Sequence, residues 1–154
     1  MSLENYLNNL IERGFLKKEQ IGIDQVSALL KSASKNVRAA ERNLGIDEET
    51  CYTMAYNSMI KVARAILFLN NIRTIDGQQH KTTIEVAGKI LGKEFNDLTK
   101  RFDQMRKKRN VFTYEPLIPL SKQETKQSLE TSKNFYIKVK DFLEEKKFQL
   151  KIFK

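Results

Sequence analysis

The sequence holds very few of the residues on which covalent cross-links and metal sites depend. It has one cysteine, Cys51, one histidine, His80, and no tryptophan among its 154 residues. A single cysteine excludes an internal disulfide framework, and one cysteine with one histidine excludes a tetrahedral zinc site built from these ligands. We therefore expect no metal site, and a chain of this length can bury enough surface to fold without cross-links.

Long apolar runs are also missing. No stretch approaches the ~20 apolar residues that span a bilayer, and the first residues do not resemble a signal peptide. The sequence contains no glycine-rich phosphate loop, no His-Glu-x-x-His pair and no nucleophile elbow. These absences predict a cytoplasmic protein that does not cross a membrane and uses no cofactor.

The sequence does have an excess of positive charge. Twenty-eight lysines and arginines stand against 19 acidic residues, which gives a formal net charge of +9. Such an excess attracts phosphate backbones and acidic protein surfaces alike. A solvated surface explains the charge equally well, so composition alone leaves nucleic-acid binding open.

Between its six glycines and two prolines, the chain repeats apolar residues with a helical period. Residues 3–13 predict a short first helix that Gly14 ends. Asp24 is placed to cap a second helix. Seven apolar residues from Val26 to Leu44 follow at the spacing of a single stripe, which is typical of a helix with one buried face.

A third predicted helix begins after Asp47 and runs to about Asn70. Over Met59–Leu69 it is apolar nearly all round, which is typical of the central helix of a bundle. A short helix follows, with Thr82 and Glu85 as its capping box.

The rest of the chain also has helical patterns. An apolar stripe covers residues 95–105, and a long final helix with a capping box at its start is expected over 121–147. No segment makes a convincing strand pair, and residues 148–154 form an unassigned basic tail. The prediction is a single all-α domain over residues 1–154, an antiparallel bundle of four to five helices.

One segment combines a run of cations with an amide and a phenol. The run consists of Arg106, Lys107, Lys108 and Arg109, and Asn110 and Tyr114 follow it. Cations near the C-terminus of a helix interact favourably with its dipole, so charge alone favours a purely structural role. The four cations are nevertheless candidates for binding nucleic acid.

This segment resembles the signature of HEPN domains, the "higher eukaryote and prokaryote nucleotide-binding" family. That signature is an arginine, a polar residue that is often asparagine, three further residues and a histidine. Arg109 and Asn110 match it, and Tyr114 stands at the position of the histidine. The segments "LIERGFLKK", "ASKNVRAAERNL", "MAYNSMIKVARAILFLNNIR" and "DGQQHKTTIEV" are similar to a basic, toxin–antitoxin-associated branch. The likeness covers about Leu10 to Glu145.

The resemblance implies a four- or five-helix domain that forms homodimers. In active members the arginine and histidine of both protomers face each other, and they cleave RNA without a metal. The histidine takes the proton of the 2′-hydroxyl, and the arginine steadies the phosphate. Other members are inactive binding or docking modules, and some pair with small nucleotidyltransferases in toxin–antitoxin systems.

The tyrosine at position 114 alters what the motif can do. Histidine titrates near neutral pH, whereas tyrosine has a pKa near ~10 and is a poor base. Arg109 and Asn110 can still hold a phosphate. We therefore expect a dimeric module that binds RNA or a nucleotide, with weak or no ribonuclease activity. The alternatives are a metal-independent endoribonuclease using Arg109, Asn110 and Tyr114, and an interaction component with a nucleotidyltransferase-type partner.

Three further residues bear on this site. Arg64 lies among apolar residues of the third helix, where an arginine is usually paired or reaches the surface, but it could face the site. Tyr56 lies one turn from Tyr52, and core packing is its ordinary role. We keep Arg64 and Tyr56 as supporting residues. His80 could replace the missing base, but its Gly-Gln-Gln-His-Lys setting favours a solvated loop.

Overall fold

A computed structural model describes residues 1–77 and 79–145. Within them the helices are α1 (Leu3–Glu12), α2 (Ile23–Asn43), α3 (Glu48–Leu69), α4 (Gln79–Leu91), α5 (Asn96–Tyr114) and α6 (Lys122–Glu145). Two short strands, β1 (Leu16–Lys18) and β2 (Ile72–Thr74), and a 3₁₀ turn at Lys93–Phe95 complete the fold. The all-α helical prediction is confirmed. The basic tail predicted for 148–154, and the end of the last helix near Lys147, lie outside the described residues.

Helix α3 is the centre of the bundle. It packs against α2 most extensively, and also against α4, α5, α6 and β2. Most of its side chains from Met59 to Phe68 are buried, as the apolar composition of this stretch predicts. Its apolar surface is therefore covered within a single chain.

The strand pair is a correction to the prediction. Strands β1 and β2 run antiparallel, with Leu16 opposite Thr74. Asn71 adopts a positive φ of 55°, which turns the chain from the end of α3 into β2. Each strand has only three residues, too few to show the alternating pattern by which sequence reveals strands. Buried Leu16 and Ile72 join this small sheet to the core.

The predicted starts of the long helices are confirmed at two positions and wrong at a third. The side chains of Asp47 and Ser121 each accept a backbone N–H three residues later, at 3.0 Å. Helix α2, however, has Gly22 as its N-cap, and Asp24 lies inside its first turn. An acidic residue in the first turn also suits the helix dipole, so the same sequence signal fits either position.

Helix α4 begins at Gln79, three residues earlier than its predicted capping box. Thr82 and Glu85 therefore lie inside the helix and do not cap it. The Thr82 hydroxyl instead donates to the Asp76 carboxylate at 2.6 Å, which fastens the helix to the preceding turn. Among residues 1–77 and 79–145, no helix is long and apolar enough to cross a membrane.

Candidate functional site

The four consecutive cations of α5 do not share one environment, since two of them contact Asp103, one contacts Glu124 and one has no carboxylate partner in the described residues. Arg106 Nε lies 2.8 Å from Asp103 Oδ1, and Lys107 Nζ lies 3.5 Å from the other oxygen of that carboxylate. Lys108 Nζ lies 3.4 Å from Glu124 Oε2 on α6. Because an α-helix rotates by about 100° per residue, neighbouring side chains leave it in different directions. The run is therefore not one basic patch.

Arg109 is the member of the run without a carboxylate partner in the described part of the chain. Its Nη1 lies 3.5 Å from Asn110 Oδ1, a distance at the limit for a hydrogen bond. Its Nε is buried and has no hydrogen-bond partner among the described residues. Its Cζ lies 5.8 Å from the centre of the Tyr56 ring. Guanidinium N–H groups without a carboxylate partner are donors that suit an anionic ligand.

His80 lies in the first turn of α4 and not in a loop. Its Nδ1 is 2.9 Å from the hydroxyl of Tyr56, a side chain that is 0% exposed. His80 is exposed, as predicted, but the predicted loop is wrong, because the residue lies in a helix and its ring contacts the core through Tyr56. Twenty-four positions separate the two residues, so they meet only when α3 and α4 pack together.

Burial favours the neutral form of both members of this pair, and nearby positive charges add to that effect at His80 but oppose it at Tyr56. Burial lowers the pKa of His80, and the charges of Arg109, Arg64 and Arg106 lower it further. Burial raises the pKa of Tyr56 to about 12, against the opposing effect of Arg109 and Arg106. A neutral imidazole therefore faces a neutral phenol, and the tautomer of the ring decides which group donates.

An open cleft of about 470 Å³ brings these groups together between α4, α5 and the turn before α4. It is lined by Asp76, Gly77, Gln79, His80, Lys81, Arg106, Arg109 and Asn110. Three cations thus face one carboxylate, and that carboxylate accepts from Thr82. A cleft of this size and charge suits an anionic ligand such as a phosphate-bearing molecule.

The structure separates the predicted site residues into two groups. Arg106, Arg109 and Asn110 line the cleft, and buried Tyr56 anchors its histidine. Lys108 lines a different groove between α5 and α6, and Lys107 lies on the exposed side of α5. Tyr114 is 78% exposed at the end of α5 and does not line the cleft.

Arg64 lies beside the cleft and not in it. It lines a smaller neighbouring pocket, and its charge reaches His80, whose pKa it helps to lower. Residues 1–77 and 79–145 contain no cluster of three or more His, Cys, Asp or Glu side chains that could hold a metal ion. His80 was considered from the sequence as a replacement base and set aside, and its contact with Tyr56 was not predicted. The one available signal, its being the sole histidine, does not show which residues it contacts.

Comparison with protein-family models matches residues 26–142 to the model described as HEPN domain. The match covers more than half of the chain and runs from the first turn of α2 almost to the end of α6. Comparison with curated proteins found no match. Comparison with solved structures found none either.

Proposed function

Because the chain belongs to the HEPN domain family, we propose that it is an RNA- or nucleotide-binding module whose ligand places a phosphate against Arg109 in the cleft. The observation that supports the proposal is the burial of the Arg109 side chain and its lack of a carboxylate partner in the described residues. The side chain is partly buried, and its buried Nε has no acceptor among those residues. Phosphate oxygens match the planar donor fork of a guanidinium, and burial strengthens such contacts.

The proposal is tested by the binding of a short single-stranded RNA in a series of salt concentrations. Arg109→Gln should weaken binding about tenfold, the loss expected for a hydrogen bond to a charged group. The slope of log K against log salt should fall by about 0.7, the value for one phosphate contact to a single strand. Arg42→Gln, an exposed position in the last turn of α2, removes the same charge and should change neither quantity.

A double variant, Lys107→Ala with Lys108→Ala, separates the cleft from general charge. It removes two cations that already contact carboxylates outside the cleft. Paired surface charges contribute little, so this variant should weaken binding less than Arg109→Gln alone. If the lysine variant has the larger effect, or if Arg109→Gln matches Arg42→Gln, the cleft is not the binding site.

A metal-independent endoribonuclease is the second candidate, and the placement of His80 favours it. The bond to Tyr56 uses Nδ1 and leaves Nε2 without a hydrogen-bond partner among the described residues. When Nδ1–H donates to the Tyr56 oxygen, Nε2 carries the lone pair that a general base needs. In this version His80 takes the proton of the 2′-hydroxyl, and the 2′-oxygen attacks the adjacent phosphorus to form a 2′,3′-cyclic phosphate. The P–O5′ bond breaks, the 5′-oxygen leaves and takes a proton from water, and Arg109 stabilises the charge on the phosphate. Tyr114 does not line the cleft, so in this version it is not the base.

RNA cleavage in the presence and absence of EDTA distinguishes the two candidates. The enzyme requires cleavage in EDTA that is lost in His80→Gln and retained in Tyr114→Phe. Loss in Tyr114→Phe with retention in His80→Gln would instead assign the reaction to the tyrosine of the family motif. Binding without cleavage in the wild-type protein supports the module.

We further propose that the domain pairs as a two-fold homodimer near the end of α5. Four apolar or aromatic side chains are exposed in this region, namely Val111, Tyr114, Leu117 and Ile118. Exposed apolar groups that cluster in one region are typical of interaction surfaces. The toxin–antitoxin context, a nucleotidyltransferase-type partner and a cytoplasmic location remain predictions from the sequence.

A further inference from the structure

A second, smaller pocket adjoins the cleft. It has a volume of about 180 Å³ and lies between α3, β2 and the start of α4. It is lined by Arg64, Leu67, Phe68, Arg73, Thr74 and Gln79. Gln79 also lines the cleft, so the pocket and the cleft meet at this residue. The pocket is smaller than the sites that enclose whole small molecules, and its size suits a single oxyanion group.

Two arginines share one aromatic ring in this pocket. Arg73 Cζ lies 4.7 Å and Arg64 Cζ lies 5.5 Å from the centre of the Phe68 ring. Burial lowers the pKa of Arg64, and the charge of Arg73 lowers it further, so the two guanidiniums repel each other. The structure thus brings two like charges together at a partly buried site.

Only one of these arginines has its charge balanced in the described residues. Arg73 Nε donates to Glu19 Oε2 at 2.6 Å. Arg64 has neither a carboxylate partner nor a side-chain hydrogen bond within residues 1–77 and 79–145. Its contact with Phe68 offers the ring face but no oxygen acceptor, so the N–H donors of the guanidinium are left for another group.

We propose that Arg64 and Arg73 form a second phosphate subsite beside the cleft, so that the site takes a ligand with two phosphate groups. Arg109 holds one phosphate and the arginine pair holds the other. An oxyanion between the two guanidiniums offsets their repulsion and accepts their hydrogen bonds. Thr74 and Gln79 line the same pocket, and both side chains carry neutral hydrogen-bond donors. This inference rests on the proposed phosphate site at Arg109.

Two ligand classes carry such a pair of phosphates, namely a nucleoside diphosphate and a single RNA strand with successive phosphates. Calorimetric titration with two matched pairs of ligands tests both ligand classes. The first pair is AMP and ADP, and the second is the dinucleotide ApA with and without a 5′-phosphate. The wild-type protein should bind the two-phosphate member of one pair about tenfold more tightly, as expected for one additional charge-assisted contact. The ligand pair that shows this preference identifies the ligand class.

Arg64→Gln should abolish the preference and leave binding of the single-phosphate member within twofold of wild type. Arg42→Gln, which removes the same charge at an exposed site, should retain the preference in full. Arg64→Met keeps an apolar stem to pack on Phe68, so it serves as a second variant if the glutamine variant is destabilised. Circular dichroism melting identifies which variants are folded.

The outcomes separate the two proposals. The second subsite is overturned if the wild-type protein does not prefer the two-phosphate member of either pair. It is also overturned if a folded Arg64 variant retains that preference. Unchanged binding of the single-phosphate member by Arg109→Gln overturns the proposed function, whatever Arg64 does. The two-phosphate site is supported if Arg64→Gln loses the preference for the two-phosphate member and Arg109→Gln binds both members of the pair more weakly.

Discussion

The pairing of His80 with Tyr56 gives this chain a titratable group in contact with its core. His80 is the sole histidine of the chain, so its ring protons give one titration curve free of overlap. Burial and three arginines lower its pKa. The native state therefore takes up this proton at lower pH than the unfolded chain does, and His80 reduces stability as the pH falls below about 6.5.

The electrostatic link between His80 and Arg109 predicts a measurable shift. Removing the Arg109 charge favours the protonated imidazole, so the pKa of His80 should rise in Arg109→Gln. A bound phosphate should raise it in the wild-type protein for the same reason. Proton NMR of the imidazole signal against pH measures both effects, with Arg42→Gln as the control. An unchanged titration curve in Arg109→Gln would show that the two groups do not interact.

At the scale of elements, the cleft depends on how closely α4 approaches α5. A β-carbon added at Gly88 of α4 would lie 2.7 Å from Thr99 Cγ2 of α5. Such a distance requires the Thr99 side chain or one of the two helices to shift. The glycine thus has a packing role, although alanine is the better helix former.

Gly88→Ala tests this close approach. Overpacking costs about 1–3 kcal/mol, and the gain in helix propensity is about 1 kcal/mol, so we expect a net loss of stability. In a Thr99→Ala background the obstructing methyl is absent, and the same substitution should stabilise the protein. Urea unfolding of the wild-type protein, the two single variants and the double variant measures the coupling. A Gly88→Ala protein that is more stable than wild type would contradict the close packing.

At the scale of the whole molecule, the proposed dimer requires an exposed apolar surface. The apolar residues of α3 do not provide this surface, because they are buried within one chain. The exposed region at the end of α5 is the better-supported surface. Leu117 is 94% exposed there, and an apolar side chain in water gains from burial against a second copy.

Light scattering should give twice the 18.0 kDa chain mass. Leu117→Lys should shift the protein towards monomer, since an interface does not tolerate an unpaired buried charge. Ile23→Lys, at the start of α2 with 51% exposure, is the matched control and should leave the mass unchanged. A monomer at tens of micromolar for the wild-type protein would contradict the dimer.

The sequence by itself determined the helical class, most helix boundaries and the family. These follow from local signals: apolar spacing, Asp47 and Ser121 as caps, and the order of segments that the family model matches. It also singled out Arg109 and Asn110, because the motif is contiguous along the chain. These signals can be identified without the tertiary structure, because a helix fixes which residues along the chain share a face.

Only the tertiary structure decided which of these residues share a site. It paired β1 with β2, placed His80 on Tyr56, and placed Arg106 and Arg109 in the cleft but Lys108 in a different groove. Each result joins segments far apart in the sequence or depends on which face of a helix meets a neighbour. Spacing along the chain carries no information about such contacts, since helix packing and not local geometry brings the groups together.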